Sequence, residues 1–325
     1  MISPRFICCM IAVMGVGAPV AYADTYGVVD QLNIGGEGKW DYPSLESASH
    51  RLYLSRATHV MVVDTTSGKV VGDIADTPGV HGIAIASDLG RGYISAGKSN
   101  QVKIFDLNTH QVVTTLEVGS KPDAILYDEQ TQQVFAFNGH SNNVSVIDAR
   151  TSSIVATIAL GGGPEFAESD GSGTIFVNIE DKNELAVLDA RQHKVTAHWP
   201  LPGCEGPTGL ALDSAHHRSF SVCANAKMTI LDTSTGKAMA TLPIGAHADA
   251  AVFDRDHQDA FSANGDGTLT VVHEADPDHF AVAQVVKTAP GARAIALDGT
   301  THKMYLPTAL AGAFVVLVVD SIRKE

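Results

Sequence analysis

Seven short segments hold most of the residues able to do chemistry in this 325-residue chain. They read GEGKWDYP, DTPGVHG, GSKPDA, GGGPEF, CEGPTG, GAHADA and PGARA. Each connects two apolar runs, yet each offers a different polar group. Together they supply Lys39, Trp40 and Asp41; His81; Asp123; Glu165 and Phe166; Glu205 and Thr208; His247 and Asp249; and Arg293. A second series of turns adds Arg56, Asn138, His140, Asn178, Glu180, Asn225, Asn264 and Asp266. The best binding candidates among these are Trp40, His81, Asp123, His140, Glu165, His247, Asp249 and Arg293. Imidazole, carboxylate and guanidinium beside an indole suit a small anionic or polyhydroxylated ligand. Imidazole with carboxylate also suits a divalent metal. No Gly-x-Ser-x-Gly elbow, P-loop or helical pair of metal-binding histidines is present, so no organic cofactor is expected. A channel mouth filled with water would be polar in the same way without any ligand.

Those segments need a scaffold that brings them to one end, and the sequence contains one. A β-branched run, an Asp, a polar turn and a second β-branched run recur as VMVVDTTSGKVVGDI, VKIFDLNTHQVVTTLEV, VSVIDARTSSIVATIAL, LAVLDARQHKVTAHWPL and MTILDTSTGKAMATLPI. The aspartates are Asp64, Asp106, Asp148, Asp189 and Asp232, spaced by 42, 42, 41 and 43 residues. His273 takes the same place in a sixth copy, and a seventh ends at Asp320. An Asp ahead of a polar turn accepts backbone N–H bonds, so these carboxylates are expected to be structural. Between the phrases lie seven strands with an aromatic or Met-Tyr centre, among them HRLYLSR, RGYISAG, QVFAFNG and HKMYLPT. Each period therefore holds four short strands with period-two alternation, which is one blade of a β-propeller. Seven copies predict an all-β, seven-bladed propeller occupying residues 24–325 as a single domain. Tyr26 to Ile34 carries the fourth-strand pattern missing from the last blade. It is expected to pair with Phe314 to Val319 and close the ring.

The strand pairs followed by an Asp turn and Gly-x-x-Pro (Gly119 and Pro122; Gly161 and Pro164) resemble the YVTN repeats of YncE-like propellers. The signature is degenerate: Tyr53-Leu-Ser, Tyr93-Ile-Ser, Phe135-Ala-Phe-Asn138 and Phe176-Val-Asn178. The resemblance implies the propeller fold and no particular activity, since this scaffold hosts binding, assembly and enzymatic roles. The main expectation is a binding scaffold for a small polar ligand or another protein. The alternative it suggests is a lactonase-type hydrolase using His81 or His247, Glu165 and Arg293 as base, acid and oxyanion support. A copper or electron-transfer site would need His59, His140 or His247 beside Cys204 or Cys223.

With strands a to d in each blade, the d–a connections and b–c turns share one face, and the a–b and c–d turns share the other. Of the 14 histidines, only His59, His81, His140 and His247 map to the first face. His50, His216, His217, His257 and His302 fall in a–b turns and are expected to be solvated. Cys204 and Cys223 flank the a–b hairpin of blade five, with residue 207 roughly opposite 223, and are expected to form a disulfide.

Residues 1 to 23 read as a cleavable export leader, with Arg5, an apolar stretch and Ala21-Tyr22-Ala23 before the cut. That implies a periplasmic or secreted protein with no membrane span after cleavage, and a monomer. The net charge of −14 disfavours broad nucleic-acid binding.

Overall fold

The computed structural model describes residues 25–36 and 39–322. The expected leader, residues 1–23, lies outside the described residues. Within them are seven four-stranded antiparallel sheets. Blade three is typical, with strand a Pro122–Asp128, b Gln133–Asn138, c Asn143–Asp148 and d Ser153–Ala159. The a strands of neighbouring blades touch all the way round, including blade one against blade seven. The expected all-β seven-bladed architecture is therefore present. Among the described residues no helix is long and apolar enough to cross a membrane.

The burial of each strand follows its place in the blade. Strands b and c lie between neighbouring sheets and are apolar on both faces, as in Val134 to Phe137 and Val144 to Ile147, all buried. Strand d is the rim, and Lys194–Pro200 alternates exposed and half-buried residues along its whole length. Aromatics fill the wedges between blades: Phe135 and Phe137 join Val146, Ile175 and Val177 in one such core. Packing there leaves no slack. A Cβ on Gly92 would fall 2.1 Å from the Phe105 ring, and one on Gly209 would fall 2.5 Å from the Ala250 backbone of the next blade. Strong burial of both faces and tight interblade contact make each blade depend on its neighbours.

The repeat aspartates hold turns. Asp64 accepts the Ser67 N–H, Asp106 those of Asn108 and Thr109, and Asp148 those of Arg150 and Thr151. Asp189 and Asp232 do the same with the two and three residues that follow. The Ser67 bonds draw Asp64 down to about 2, and the Thr109 bonds also lower Asp106. His273 departs from this pattern. Its Nδ1 lies 2.8 Å from Asp259 Oδ1, so it ties strand c to strand b instead of capping a turn.

The seventh sheet contains Ala296–Leu297, Met304–Leu310 and Ala313–Ser321, and its outer strand is Tyr26–Asn33. That strand runs antiparallel from Tyr26 opposite Ser321 to Asn33 opposite Val315, with a bulge between Val28 and Asp30. The Gln284 side chain of blade six extends the hold: its Oε1 accepts from Tyr26 N, and its Nε2 donates to Tyr26 O.

Candidate functional site

One recurrent irregularity aims side chains at the channel. In blades two to six the a–b pairing slips by one residue just past the start of strand a. Pro122 faces Asn138, but Ile125 faces Ala136. The same slip follows Val80, Pro164, Pro207 and Ala248. A bulge leaves one residue outside the ladder and re-aims it. His81, Asp123, Glu165, Thr208 and Asp249 all occupy these bulged stretches. Five blades thus submit His, Asp, Glu, Thr and Asp at one register position.

The residues meet in two overlapping groups. In the first, His81 Nδ1 is 2.6 Å from Asp41 Oδ2 and 3.4 Å from Asp123 Oδ1, and Lys121 Nζ is 3.4 Å from Asp123 Oδ2. Burial alone would lower the His81 pKa. The hydrogen bond to Asp41 and the charges of Asp123 and Asp41 outweigh it, and the net shift is upward. Asp123 itself is raised, because it is nearly enclosed. Asp41, His81 and Asp123 offer three ligand atoms within 4.8 Å of one another, so an ion could be held there.

The second group surrounds Tyr42, whose buried ring packs tilted against Phe166 at 4.9 Å. Burial, then Glu165, Asp249, Asp41 and Asp123 in turn, push its hydroxyl upward. Glu165 is raised to about 8 by burial and then by Asp123, Glu180 and Asp249. Asp249 rises to about 6 by burial, although Arg293 Nε lies 3.0 Å from it.

A cavity of about 760 Å³ borders Asp41, His81 and Lys121 of the first group and Arg293 of the second. Its walls include Lys39, Lys98, Lys121 and Arg293, the imidazoles of His81 and His140, the Trp40 ring, and Asp41. Four cationic side chains converge here in a chain with a net charge of −14. Trp40 is held on its far side, with Nε1 donating to Gly291 O at 3.3 Å and its ring 5.6 Å from Phe314. Arg56 also lies over Phe314, its guanidinium 3.4 Å from the ring centroid.

Several candidates from the sequence serve other ends. Asn138, Asn178 and Asn264 are wholly buried. Asn178 Nδ2 donates to Thr208 O and Gly209 O, fastening blade four to blade five. Asn138 and Asn264 bond within their own hairpins, to Ser145 and Thr270. Thr208 is buried and donates to the Val222 and Ala248 carbonyls. His247 is exposed in a left-handed turn (φ 58°), and His59 approaches Asp73 at 3.6 Å on the blade-one rim. Cys204 and Cys223 form the expected disulfide, with Cα atoms 5.5 Å apart and Pro207 opposite Cys223.

On the opposite face, the a–b turn histidines are not simply solvated. His257 and His302 both approach Asp254 Oδ2, at 2.8 and 2.9 Å, and their rings meet edge to face at 4.6 Å. His216 lies between Asp213 and Glu274. Their trace in the sequence is the shared spacing Asp-x-x-His in Asp213 to His216 and Asp254 to His257. Tyr42, whose hydroxyl lies within the field of Glu165, Asp249, Asp41 and Asp123, stands beside Asp41 with no motif to single it out.

The comparisons with known proteins agree on the fold. The uncharacterized protein YncE of Salmonella typhimurium is 31% identical over 84 residues, covering 25% of this chain and 24% of that protein. The Salmonella typhi protein of the same name matches to the same extent. The chain thus spans about a quarter of the length of these curated relatives. A solved structure, Kuenenia stuttgartiensis hydrazine synthase, superposes with a TM-score of 0.74 at 16% identity, covering 93% of this chain and 98% of the other. The model of a domain of unknown function, DUF5074, matches residues 45–267, from blade one to the middle of blade six, and the chain belongs to that family, as a YncE-like seven-bladed propeller.

Proposed function

We propose that the protein is an exported binding propeller whose channel-mouth cavity takes a small anionic, hydroxyl-rich ligand such as a sugar acid. The observation that carries this reading is the charge of the cavity wall. Lys39, Lys98, Lys121 and Arg293 line it with His81 and His140, against Asp41. Asp123 and Asp249 offset Lys121 and Arg293, while Lys39 and Lys98 make no ion pair among the described residues and leave the wall an excess of positive charge that a bound anion would relieve. The Trp40 face adds an apolar wall on which a sugar ring can lie. Export is supported by the leader-like N-terminal sequence and by the Cys204–Cys223 disulfide, which persists in oxidising compartments.

Trp40 provides the readout, because the chain has two tryptophans and Trp199 lies on the rim. Gluconate, citrate and phosphate are titrated against residues 24–325 while indole fluorescence is followed. Saturable quenching in the parent, absent from Lys121→Glu and Arg293→Glu, supports the reading. A flat response to every anion removes it.

A hydrolase is the second reading, and the Asp41–His81 pair favours it. A carboxylate bonded to Nδ1 orients an imidazole as a general base, and His81 borders the cavity. Glu165, His247 and Arg293 complete the set considered for lactone opening. Turnover of simple lactones that disappears in His81→Ala would promote this reading over plain binding.

A further inference from the structure

We infer that Asp213, His216 and Glu274 form a site for a divalent transition-metal ion that joins blades five and six on the face opposite the cavity. Asp213 ends strand a of blade five (Pro207–Asp213), and His216 stands in the turn that follows. Glu274 comes from strand c of blade six (Thr268–Asp276). One ligand atom from each lies within 4.8 Å of the other two.

Burial is the first argument. The Glu274 side chain is 0% exposed and that of Asp213 2% exposed. Two enclosed carboxylates repel each other and lose hydration, which costs several kcal/mol per charge unless something compensates. Asp213 Oδ1 accepts the Ala215 N–H, which leaves Oδ2 facing His216. No N–H is aimed at either oxygen of Glu274; its carboxyl lies against that of Asp213, and Oε1 is 3.2 Å from His216 Nδ1. Arg218 spends its donors on Pro277 O and His217 O and pairs with Asp232 and Asp278.

Geometry is the second argument. His216 Nδ1 lies 2.7 Å from Asp213 Oδ2 and 3.2 Å from Glu274 Oε1, yet it makes no hydrogen bond to either. Elsewhere the same approach does make one: His81 to Asp41, His257 to Asp254 and His273 to Asp259 are all hydrogen bonds. A ring nitrogen and two carboxylates gathered around a common point, with no N–H aimed at an oxygen, match metal coordination better than an imidazolium ion pair. One imidazole with two carboxylates is a donor set for Zn²⁺ or Mn²⁺, whereas Ca²⁺ prefers oxygen alone.

The test uses residues 24–325 freed of metal with EDTA and titrated with Zn²⁺ by calorimetry. Glu274→Gln and His216→Asn should each bind one Zn²⁺ equivalent fewer than the parent, and the melting temperature should rise with Zn²⁺ in the parent only. His193→Asn and His198→Asn, which alter blade four, should keep that equivalent. Crystals of the unmutated chain grown with Zn²⁺ need no variant to fold, and should show an anomalous peak bounded by the three side chains. Equal stoichiometry in the parent and Glu274→Gln, or no peak at that position, overturns the proposal.

Discussion

Tyr26 and Asp259 stand 233 residues apart in the chain, and the Tyr26 hydroxyl donates a 2.7 Å hydrogen bond to Asp259 Oδ2. The other oxygen of Asp259 meets His273 at 2.8 Å, and the Tyr26 ring packs edge-on against Phe261 at 4.9 Å. The first described strand is thus anchored into blade six as well as paired with the last. Deleting residues 26–34 should therefore cost far more stability than trimming residues 323–325. Tyr26→Phe should cost about 1–3 kcal/mol, the price of a buried hydrogen bond lost from one partner. Urea melts of the three variants check this, and equal midpoints for the two truncations would refute it.

Anion binding at the cavity should weaken as pH rises. The net effect of Asp41 and Asp123 is to raise the His81 pKa, so the cationic imidazole persists above its ordinary range. Loss of that proton removes one positive charge from the wall and leaves Asp41 without its cationic partner, while Lys121 still faces Asp123. Affinity for gluconate should fall as pH passes through the raised His81 value. His81→Asn should bind more weakly at low pH and show a flatter profile. Identical pH profiles for parent and variant would exclude His81 from the site.

Glu165 makes stability depend on pH in a definite direction. Its pKa rises from 4.5 to about 8, chiefly through burial. The folded state then holds this proton more tightly than the unfolded state does. Stability falls wherever the folded state binds the extra proton, so Glu165 removes stability as pH climbs from about 4.5 to about 8. Asp249, raised to about 6, acts the same way over a lower interval. Melting temperatures between pH 5 and pH 8 should decline less in Glu165→Gln than in the parent. Parallel curves would show that Glu165 is hydrated and ionised throughout.

Breaking the Cys204–Cys223 bridge frees a loop spanning a sequence separation of 19 residues. Chain entropy puts the loss near 3 kcal/mol, shared with whatever packing the sulfurs lose. Denaturant unfolding of Cys204→Ser/Cys223→Ser against the oxidised parent measures it. A difference below about 1 kcal/mol would mean that blade five is held by its neighbours instead.

The fold was legible because its cause is local and repeated. An Asp turn recurs about every 42 residues from Asp64 to Asp232, period-two strands lie between, and packing of one blade on the next needs no further instruction. The Cys204–Cys223 pairing was legible for the same reason, since a hairpin register brings residue 207 opposite 223. Register also told which loops share a face, and so which residues face the channel mouth. It could not tell which of them meet. A bulge on the inner strands of blades two to six lets His81 reach Asp41 and Asp123, while His247, on the same face, stays exposed at a left-handed turn. Asn138, Asn178 and Asn264 look like ligand-facing amides in one dimension, but burial turns them into fasteners. Likewise, Asp213 and Glu274 are 61 residues apart and join only where two blades abut. The sequence by itself determined the repeat, the blade count and the sorting of loops to faces, because these follow from backbone periodicity. Only the tertiary structure decided charge pairing, burial and cluster membership, because these depend on distances between blades that no local pattern encodes.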